Sequence, residues 1–562
     1  MLNWNDKSIA VIQQIALANE SEGGGMMVVL SDLEKEEMED RLQMAIDAKE
    51  NPLDLMGTEV VFRKGNPILE SDLKKVSAAS ARAIIALTPP ESTADEADAN
   101  MLRQVLAIKA LDEDFGKNGS HVVVELQDVD NRGLIEMVAP DTAEVIVNHD
   151  MIGRLMLQCA RTPELAFVLD SMMGFEGSEF YFDTWPELHG CTFKEITVRF
   201  DDAIPVGFRN VDGDVRLNPA DDDVYAEGEE ILVLAEDDDS YEPNAGTYSL
   251  EAYECDEEND CPSLEIERPP EKVLFIGWRR DMADLISQLD EYVPENSELW
   301  LYNTIPASER EERLLDGGNK PELQLKNLKL KNAVGNSIVR RDLQLLRSVN
   351  NSGSLTGDEI TLIDFDSMLI LSDDSAGSMS SDSRGLAAVL IIQDMMDKMY
   401  ADKKAKMTSM HAGQPHLDSL DPKSLKEPCI PMSEILDTRT KSLLSVANCR
   451  GYVLSNQIIS SVIAQVAEEK DINVVLSELF SASGSETYIR PVEKFMNLDD
   501  GREWSFWDVA LMARREREVA VGYKPAEIDY IEAEELIVNP PEKDKKRKWK
   551  KGDKIITFAL ED

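Results

Sequence analysis

The feature that most constrains this chain is a strand–turn–helix sequence over residues 272–289. Residues 273–276 are apolar, Gly277 follows them, and from Met282 onward apolar residues recur at helical spacing. A buried strand, a tight turn at a glycine and an amphipathic helix form the opening of a doubly wound α/β domain. The sequence therefore predicts a Rossmann-like sheet in this part of the chain.

The beginning of the chain repeats this pattern without its strand. Trp4 corresponds to Trp278, and the sequence Ile-Gln-Gln-Ile at 12–15 corresponds to Ile-Ser-Gln-Leu at 286–289. Only the first two residues of the chain stand where the strand of this copy should be. We therefore expect a second Rossmann-like domain at the start of the chain, with its first strand missing.

Further matches follow in the same order along the two halves. Their order is kept and their spacing drifts only across loops, which indicates the tandem duplication of a unit of roughly 240–290 residues. Two unrelated α/β domains are the alternative. The matching pairs are residues 335–338 with 65–68, 341–343 with 71–73, 368–371 with 84–87, 382–390 with 98–106, 434–437 with 125–128, 485–488 with 178–181, and 552–558 with 228–234.

Strands alternate with helices in both copies, and each strand is a continuous apolar run, as in parallel sheets covered by helices on both faces. Stretches rich in Phe, Val and Ile then predict small β-rich lobes. The predicted fold class is α/β, with two tandem Rossmann-like doubly wound parallel-sheet domains, each followed by a small β-rich lobe. The predicted boundaries are 1–175 for the first Rossmann-like domain, 176–243 for its lobe, 244–268 for an acidic linker, 269–482 for the second Rossmann-like domain, and 483–562 for its lobe.

The charge of the chain excludes one class of partner. The 562 residues contain 109 acidic and 58 basic side chains, for a net charge of −51. Binding to nucleic acid requires a surplus of Lys and Arg at the phosphates, so no nucleic-acid partner is expected. The excess of carboxylates favours solubility and an affinity for cations.

Membrane and redox signals are weak in this sequence. No run approaches the ~20 apolar residues of a membrane-spanning helix, and the N-terminus lacks the pattern of a signal peptide. The six cysteines are scattered without a C-x-x-C motif, which indicates a reduced, cytosol-facing setting. Cys255 and Cys261 lie close together in an acidic stretch, where they could pair, bind a metal or remain two free thiols.

A doubly wound fold makes a nucleotide the first ligand to consider. The phosphate site of such folds needs a glycine-rich turn, so that backbone N–H groups can approach the anion. The turn at 277–282 reads Gly-Trp-Arg-Arg-Asp-Met and keeps one glycine, while the turn of the first copy has none. We therefore expect no bound nucleotide, although an NAD(P)-binding oxidoreductase remains an alternative. The chain contains neither G-x-S-x-G nor H-E-x-x-H, and we predict that it is not an enzyme.

The acidic clusters point to Ca²⁺ instead. Ca²⁺ accepts six to eight oxygen ligands in a flexible geometry, so loop carboxylates near strand ends can hold it. Another acidic cluster lies at residues 221–223. None of the acidic clusters in the chain has EF-hand spacing, so a solvated acidic turn is the alternative at each of them. The candidate metal ligands are Asp237, Asp238, Asp239, Asp373, Asp374 and Asp382.

Three segments interrupt the repeat or depart from its composition. Residues 350–360 and 399–428 are insertions in the second copy, and the second of them is predicted to be a disordered loop because it is polar. Residues 543–551 form the one cationic run, which could contact lipid head groups or an acidic neighbour, or be a solvated loop between two strands.

Several motifs together resemble those of a known family. The chain resembles the cytosol- or nucleoplasm-facing regulatory region of the CASTOR/POLLUX (DMI1/SYM8-type) ion channels of plant symbiosis signalling, and the resemblance covers nearly all of it. The motifs are IALANES at 15–21, GRLMLQCAR at 153–161, AIP at 203–205, AEDDD at 235–239, GWRRDM at 277–282, SEILDTRTK at 433–441 and VNPP at 538–541.

The resemblance implies a function and an assembly. Each Rossmann-like domain with its lobe would be an RCK (regulator of K⁺ conductance) domain, and four subunits would form a Ca²⁺-regulated gating ring through RCK–RCK interfaces. The ring would lie beneath a tetrameric cation pore in the nuclear envelope or another endomembrane, while this segment alone would be soluble. The pore of the family and the first strand of the first domain are both missing, so we expect a piece of a longer protein. A free-standing soluble ligand-binding scaffold is the alternative.

Overall fold

The structure is a computed structural model, and its described residues fold into two compact units. Unit 1 comprises Met1–Ile152, Phe167–Leu264 and Gln457–Asp562, and unit 2 comprises Gly153–Ala166 and Glu265–Asn456. The structure describes the whole chain except residues 50–51, 90–92, 112–119, 141, 255–268, 317–322, 373–377, 414–424, 482–483, 499–500, 527–535 and 561–562.

The first part of the chain alternates strands with helices, as the apolar runs predict. Its strands are β1 (Met26–Ser31), β2 (Glu59–Lys64), β3 (Ala83–Ala86), β4 (His121–Leu126) and β5 (Ala143–Val147). Its helices are α1 (Ser8–Ala18), α2 (Lys35–Ile46), α3 (Glu70–Lys75), α4 (Ala94–Leu111), α5 (Arg132–Val138), α6 (Asn148–Arg161) and α7 (Leu165–Met173). Strands β1 and β2 are parallel, and β3, β4 and β5 form a parallel set of three.

Leu2 joins the two sets of strands in unit 1. It forms parallel bridges to Leu30 of β1 and to Ala86 of β3. The N–H of Leu2 donates to the carbonyl of Ile85 at 2.7 Å, and the carbonyl of Leu2 accepts the N–H of Leu87 at 3.1 Å. Leu2 is buried. Among the described residues, the position between β1 and β3 is therefore occupied by the isolated bridges of Leu2.

A small antiparallel sheet follows in unit 1. It consists of β6 (Glu179–Asp183), β7 (Ala203–Arg209), β8 (Val215–Leu217) and β9 (Glu230–Ala235), in the order β6-β9-β7-β8. The short helix α8 (Phe193–Ile196) lies between β6 and β7 in the chain, and α9 (Glu251–Glu254) follows β9. Phe193, Phe200 and Phe208 are completely buried, so aromatic side chains form the core of this first β-rich lobe.

Unit 2 contains one eight-stranded sheet. Its strands are β10 (Lys272–Ile276), β11 (Ser297–Asn303), β12 (Leu328–Val334), β13 (Leu346–Val349), β14 (Leu355–Ile360), β15 (Ser367–Ile370), β16 (Pro431–Ile435) and β17 (Tyr452–Leu454). Its helices are α10 (Met282–Tyr292), α11 (Ala307–Asp316), α12 (Arg340–Leu343), α13 (Ser378–Gly413) and α14 (Lys441–Val446). The order is β14-β13-β12-β11-β10-β15-β16-β17, and neighbouring strands are parallel except in the pairs β12–β13 and β13–β14, which are antiparallel.

The central position of β10 explains its sequence. Residues 273–276 are all buried, as expected for a strand that lies between β11 and β15 inside a parallel sheet with both faces covered. Chain order reverses beside β10, because β11 follows on one side and β15 lies on the other. In open parallel sheets, such a switch point opens a crevice at the carboxyl ends of the strands.

The last part of the chain returns to unit 1. After α15 (Ser455–Glu468) and α16 (Ile472–Leu479), it forms β18 (Ser485–Pro491), α17 (Phe506–Arg515), β19 (Val519–Lys524), β20 (Ile537–Val538) and β21 (Lys554–Leu560). The order β18-β21-β19-β20 repeats the order of the first lobe. A bulge also recurs, between Pro205 and Gly207 in β7 and between Ala520 and Gly522 in β19.

Equivalent hydrogen bonds support the duplication inside the Rossmann-like parts as well. The N–H of Asn66 donates to Oδ2 of Asp72 at 3.0 Å, and the N–H of Asn336 donates to Oδ2 of Asp342 at 3.3 Å. These residues belong to stretches that match in sequence. The predicted fold class, two Rossmann-like parallel-sheet domains each followed by a small β-rich lobe, is confirmed.

The two insertions of the second copy are structured where they are described. Residues 350–360 belong to the β13–β14 hairpin, whose turn is closed by the carbonyl of Asn350, which accepts the N–H of Gly353 at 2.8 Å. Helix α13 extends to Gly413, so the loop predicted from residue 399 is helical in its first part. Ala, Met and Lys favour a helix even without an apolar face, and this is why composition alone misread the segment.

Two smaller predictions are settled only in part. Cys255 and Cys261 lie outside the described residues, and the described cysteines Cys159, Cys191, Cys429 and Cys449 are free thiols. In the cationic run, Lys543 is buried and donates to the carbonyl of Asp201 at 2.6 Å. Among the described residues, no helix is both long and apolar enough to cross a bilayer.

Candidate functional site

The acidic turn after β9 brings three of the predicted metal ligands together. One carboxylate oxygen from each of Asp237, Asp238 and Asp239 lies within 4.8 Å of the other two. Asp237 is half-buried, and the other two are exposed. The N–H of Asp237 donates to Oγ of Ser240 at 3.0 Å, and that hydroxyl donates back to the carbonyl of Asp237 at 2.8 Å. The turn therefore holds the cluster in a fixed local conformation.

A buried carboxylate lies next to this cluster. Glu179 is opposite Ala235, the last residue of β9, in the ladder between β6 and β9. It is 2% exposed, and Oε1 has no hydrogen-bond partner in the described part of the chain, while Oε2 accepts the hydroxyl of Tyr181. Burial, with repulsion from Asp237 among others, raises the pKa of Glu179 to about 8. Burial and the two neighbouring aspartates likewise raise the pKa of Asp238. A cation would relieve this repulsion.

The remaining predicted ligands do not join this cluster. Asp373 and Asp374 lie outside the described residues. Asp382 lies on α13, where Oδ1 accepts the N–H of Leu436 at 2.9 Å and Oδ2 accepts the N–H of Asp437 at 2.8 Å. Burial raises the pKa of Asp382, while these N–H groups oppose the increase. The carboxylate therefore joins α13 to the end of β16, which is a structural role.

Asp98 has the same role in unit 1. Oδ1 of Asp98 accepts the N–H of Gln127 at 2.9 Å, and Oδ2 accepts the N–H of Asp128 at 3.1 Å. Because Asp98 and Asp382 are equivalent in the repeat, the pair is a shared structural feature of the duplicated fold. The metal-ligand prediction for Asp382 therefore has no support from its hydrogen bonds.

The acidic sequence at 221–223 is also engaged by protein groups. Oδ1 of Asp221 accepts Nε of Arg514 at 2.7 Å, and the guanidinium of Arg514 also donates to the carbonyl of Pro219 at 2.7 Å. Arg514 is 1% exposed and comes from α17 of the second lobe. Oδ2 of Asp223 accepts the N–H of Ala220 at 3.2 Å. This cluster therefore helps to hold the two lobes of unit 1 together.

The turn that would carry a phosphate in unit 1 is occupied by an internal ion pair. Nζ of Lys7 lies 2.8 Å from Oε1 of Glu125, whose side chain is completely buried at the end of β4. Oε2 of Glu125 also accepts the N–H of Thr88 at 2.8 Å. Burial would raise the pKa of Glu125, but Lys7 and these hydrogen bonds hold it below its ordinary value. The cation of this turn is therefore used within the fold.

Unit 2 has an equivalent arrangement. Glu434 of β16 corresponds to Glu125 in the repeat. Its Oε2 lies 3.4 Å from Nη1 of Arg279 and accepts the hydroxyl of Ser372 at 2.7 Å. The guanidinium of Arg279 is buried and also bonds Asp281 through Nε at 2.9 Å and Nη2 at 2.7 Å. Two carboxylates therefore surround Arg279, which makes it unavailable to a pyrophosphate.

The buried pair Glu125 and Glu434 is absent from the predicted site residues. The repeat carried a signal, because 125–128 matches 434–437 and places a glutamate at the same point in both copies. A charged residue at the end of an otherwise apolar strand is a further sign of a buried partner. Nε2 of His121 lies 2.7 Å from the carbonyl of Val466, a contact within unit 1.

Comparison with known proteins gives the family. A family model described as "Castor and Pollux, part of voltage-gated ion channel" matches residues 149–251. The chain is 40% identical over 566 residues to the probable ion channel CASTOR of Oryza sativa subsp. japonica, with 100% of this chain and 59% of that protein covered. It is 41% identical over 567 residues to the probable ion channel POLLUX of Arabidopsis thaliana, and the match covers 100% of this chain and 64% of that protein. It is 41% identical over 568 residues to the ion channel POLLUX of Lotus japonicus, and the match covers 100% of this chain and 58% of that protein.

The chain belongs to the CASTOR/POLLUX family. It spans between 58% and 64% of the length of these curated relatives. The human SLO3 gating ring has a similar fold, with a TM-score of 0.61 at 12% identity, and the match covers 100% of this chain and 98% of that one. This CASTOR/POLLUX chain therefore has a fold similar to that of the SLO3 gating ring.

Proposed function

We propose that this chain is the regulatory gating-ring region of a CASTOR/POLLUX-type cation channel, and that it senses Ca²⁺ and couples it to pore gating. Its family membership supports a regulatory region of a channel, since the relatives are named as ion channels. The similarity of its fold, over the whole chain, to the SLO3 gating ring supports a role in a gating ring. The three grouped carboxylates of Asp237, Asp238 and Asp239 support the binding of Ca²⁺.

The proposed assembly follows from the same observations. Four copies would associate through RCK–RCK interfaces, and the ring would act on a transmembrane pore carried by the full-length chain. The relatives are longer than this chain, which leaves room in them for such a pore. The proposed location is the nuclear envelope or another endomembrane, with this region facing the cytosol or nucleoplasm.

The observation that carries Ca²⁺ sensing is the grouping of three carboxylates in one turn. Ca²⁺ binds six to eight oxygens at about 2.3–2.6 Å, and it accepts carboxylates, carbonyls and water together. Asp237, Asp238 and Asp239 would supply the first ligands, and water would complete the shell because two of them are exposed. Asp373 and Asp374 remain a predicted second cluster in unit 2.

The ion would act on gating through its preference for one arrangement of the ring. A ligand shifts an equilibrium only by the difference in its affinity for the two states. The acidic turn immediately follows β9, the strand that pairs with both β6 and β7. A change in this turn is therefore connected directly to the strands at the centre of the first lobe.

The proposed role is not catalytic. A hydride-transferring oxidoreductase of this fold would need cation and backbone donors at the switch point for its dinucleotide. Lys7 and Arg279, one basic side chain from each of those turns, are instead paired with Glu125 and Glu434. These ion pairs favour a regulatory domain over an NAD(P)-dependent oxidoreductase.

Calorimetric titration of the purified chain with CaCl₂ tests the ion. We expect binding that D237N/D238N/D239N abolishes and that E36Q/E39Q/D40N leaves unchanged, because the control removes the same number of exposed carboxylates from α2. Binding that survives the first triple substitution would place the ion elsewhere. No binding at millimolar Ca²⁺ would refute Ca²⁺ sensing, and fractionation of the native full-length product tests the link to a membrane.

A further inference from the structure

The cationic run of the sequence lies in a loop of the second β-rich lobe. Residues 542–554 contain eight basic and three acidic side chains, for a local charge of +5 in a chain whose net charge is −51. The loop joins β20 to β21, and the structure describes all of it. Lys543 is buried and bonds the carbonyl of Asp201, so this cation takes part in the fold. The other cations of the loop have no role in the fold or the function described so far.

The equivalent loop of the first lobe has the opposite charge. Both loops start at an Asn-Pro pair whose asparagine has a left-handed backbone, with φ of +46° at Asn218 and at Asn539. The N–H of Asn218 donates to the carbonyl of Val206 and that of Asn539 to the carbonyl of Val521, both at 2.9 Å. In the first lobe, residues 220–227 contain four acidic side chains and no basic one. The lobe therefore does not require a cationic loop in order to fold.

Two side chains fix the cationic loop to the lobe. Arg547 forms an antiparallel bridge with Trp504, and each of the two donates its N–H to the carbonyl of the other at 3.0 Å. The guanidinium of Arg547 lies over the rings of Tyr523 and Trp549, at 4.2 and 4.4 Å from their centroids. Trp549 is 4% exposed, and its indole N–H donates to the carbonyl of Trp504 at 3.1 Å. The loop is therefore held in one conformation against the lobe.

The lysines next to these two side chains face the solvent. Alternate side chains of an extended chain point to opposite sides, so Lys546 and Lys548 point away from the lobe. Both are exposed, and so is Lys551, and the three form no ion pair in the part of the chain that the structure describes. Lys545 is also exposed but pairs with Glu542. Lys546, Lys548 and Lys551, named here the lysine strip, spread three charges along about 16 Å of chain at about 3.3 Å per residue.

Nearby acidic side chains do not neutralise the lysine strip. Asp553 is 1% exposed, and its Oδ2 accepts the N–H of Lys550 at 2.9 Å, so this carboxylate holds the loop from inside. Glu503 is exposed, but so is the adjacent Arg502. Asp544 is the one exposed acidic residue between Lys543 and Lys551 in the sequence. A surplus of positive charge therefore remains on this surface.

The composition of the strip favours a membrane surface over a protein partner. Packed protein interfaces are enriched in Arg and aromatic residues and depleted in Lys. Here Arg547 and Trp549 face the lobe, and the solvent meets lysines. The ammonium group of Lys is a compact, hydrated charge on a flexible stem, which suits phosphates that are spread over a surface. Clusters of Lys and Arg of this kind attract anionic lipids, whereas the net charge of −51 disfavours nucleic acid, the other extended array of phosphates.

We propose that the lysine strip binds the surface of a bilayer that contains anionic phospholipids. Each exposed lysine near such a surface strengthens binding about five-fold, so the three together strengthen it about one hundred-fold. The contact is electrostatic and reversible, because the one apolar side chain among residues 545–551 is that of the buried Trp549. The strip shares no residue with the acidic turn at 237–239, so the lipid contact does not depend on Ca²⁺ sensing.

Co-sedimentation of the full chain with lipid vesicles in EGTA tests the proposal, because the chelator keeps Ca²⁺ from bridging carboxylates to lipids. We expect binding to an equal mixture of phosphatidylserine and phosphatidylcholine, and none to phosphatidylcholine alone. K546Q/K548Q/K551Q should weaken this binding about one hundred-fold. K49Q/K326Q/K406Q is the matched control, because it removes three exposed lysines that lie outside the loop. Binding that survives the first triple substitution, or falls equally in both, would overturn the proposal.

Further measurements separate the membrane from other acidic partners. K546R/K548R/K551R keeps the charge and should keep the binding, whereas its loss would mean that charge is not the cause. Binding should weaken as NaCl is raised from about 0.1 M to about 1 M, because the screening length falls from about 10 Å to about 3 Å. Polyglutamate that binds more tightly than the vesicles would overturn the lipid in favour of an acidic protein. Self-association that K546Q/K548Q/K551Q abolishes would overturn it in favour of an acidic surface on a second copy of the chain.

Discussion

Nζ of Lys7 lies 2.8 Å from Oε1 of Glu125, and this ion pair closes the turn at which a nucleotide-binding relative of the fold would hold a phosphate. The Glu125 side chain is completely buried, whereas the side chain of Lys7 is 13% exposed. An equivalent ion pair joins Glu434 and Arg279 in unit 2. Both copies of the repeat therefore have a buried glutamate that pairs with a basic side chain of the turn.

Lys7→Met should destabilise the chain strongly. Removing one partner of a buried ion pair leaves an uncompensated charge, which costs about 3 kcal/mol. Urea denaturation of both proteins measures this difference in the free energy of unfolding. Lys35→Met is the control, because its pair with Glu39 is about half exposed and should contribute less than about 1 kcal/mol. Equal effects of the two substitutions would mean that Glu125 is not dependent on Lys7.

Arg514→Met should loosen the contact between the two β-rich lobes of unit 1. The guanidinium is buried and bonds Asp221 and Pro219 of the first lobe, so its loss leaves buried acceptors unpaired. We expect a loss of about 3 kcal/mol in the free energy of unfolding. Faster hydrogen exchange on both sides of the contact, at 218–221 and in α17, would accompany it.

A matched control for Arg514 exists in the first lobe. Arg216 pairs with Asp223 at 3.3 Å, but its side chain is 47% exposed. Arg216→Met should therefore change stability by less than about 1 kcal/mol. If Arg216→Met were as damaging as Arg514→Met, burial would not be the origin of the effect.

Regular elements could be read from the sequence with good accuracy, whereas side-chain pairing could not. Strand β10 (Lys272–Ile276) and helix α10 (Met282–Tyr292) form where the sequence predicts a strand and a helix, because apolar runs and helical periodicity report directly on burial. The helical extension of α13 to Gly413 was predicted as a loop, because a polar helix has no apolar face to reveal it.

The candidate site was predictable only in part, for a related reason. Three adjacent aspartates in one turn are neighbours by chain connectivity, so Asp237, Asp238 and Asp239 could be grouped from the sequence. Asp382 could not be assigned in the same way, because its partners are backbone N–H groups more than fifty residues away. The ion pairs of Glu125 and Glu434 could not be predicted either, because each joins side chains that are more than one hundred residues apart in the chain.

Gly522→Ala should destabilise the second lobe. A Cβ at this position would lie 2.3 Å from the carbonyl oxygen of Ile537, and backbone atoms of an adjacent strand cannot move aside easily. Overpacking of this kind costs roughly 1–3 kcal/mol. Gly133→Ala is the contrasting variant, because nothing lies within 4 Å of its Cβ in α5, and it should raise stability by about 0.5–1 kcal/mol. Thermal unfolding of both variants checks the opposite signs.

Glu179 should make the stability of the chain fall as the pH rises. Burial, with repulsion from Asp237, Glu236 and Asp238, raises the pKa of Glu179 from 4.5 to about 8, so between these values the folded chain holds a proton that the unfolded chain has released. The free energy of unfolding therefore decreases with pH in this window, by at most about 1.4 kcal/mol per pH unit. Glu179→Gln removes this contribution, because the amide keeps the size of the side chain and does not titrate.

Urea denaturation of wild type and E179Q from pH 5 to pH 8 in EGTA measures this effect, since the chelator keeps Ca²⁺ from the neighbouring aspartates. The stability of wild type relative to E179Q should fall steadily across the range, and E179Q should be the more stable protein at the alkaline end. Other groups titrate identically in both proteins, so the difference between the two curves isolates Glu179. Parallel curves would mean that Glu179 is ionised in the folded chain throughout, and that the carboxylates around the acidic turn do not repel it.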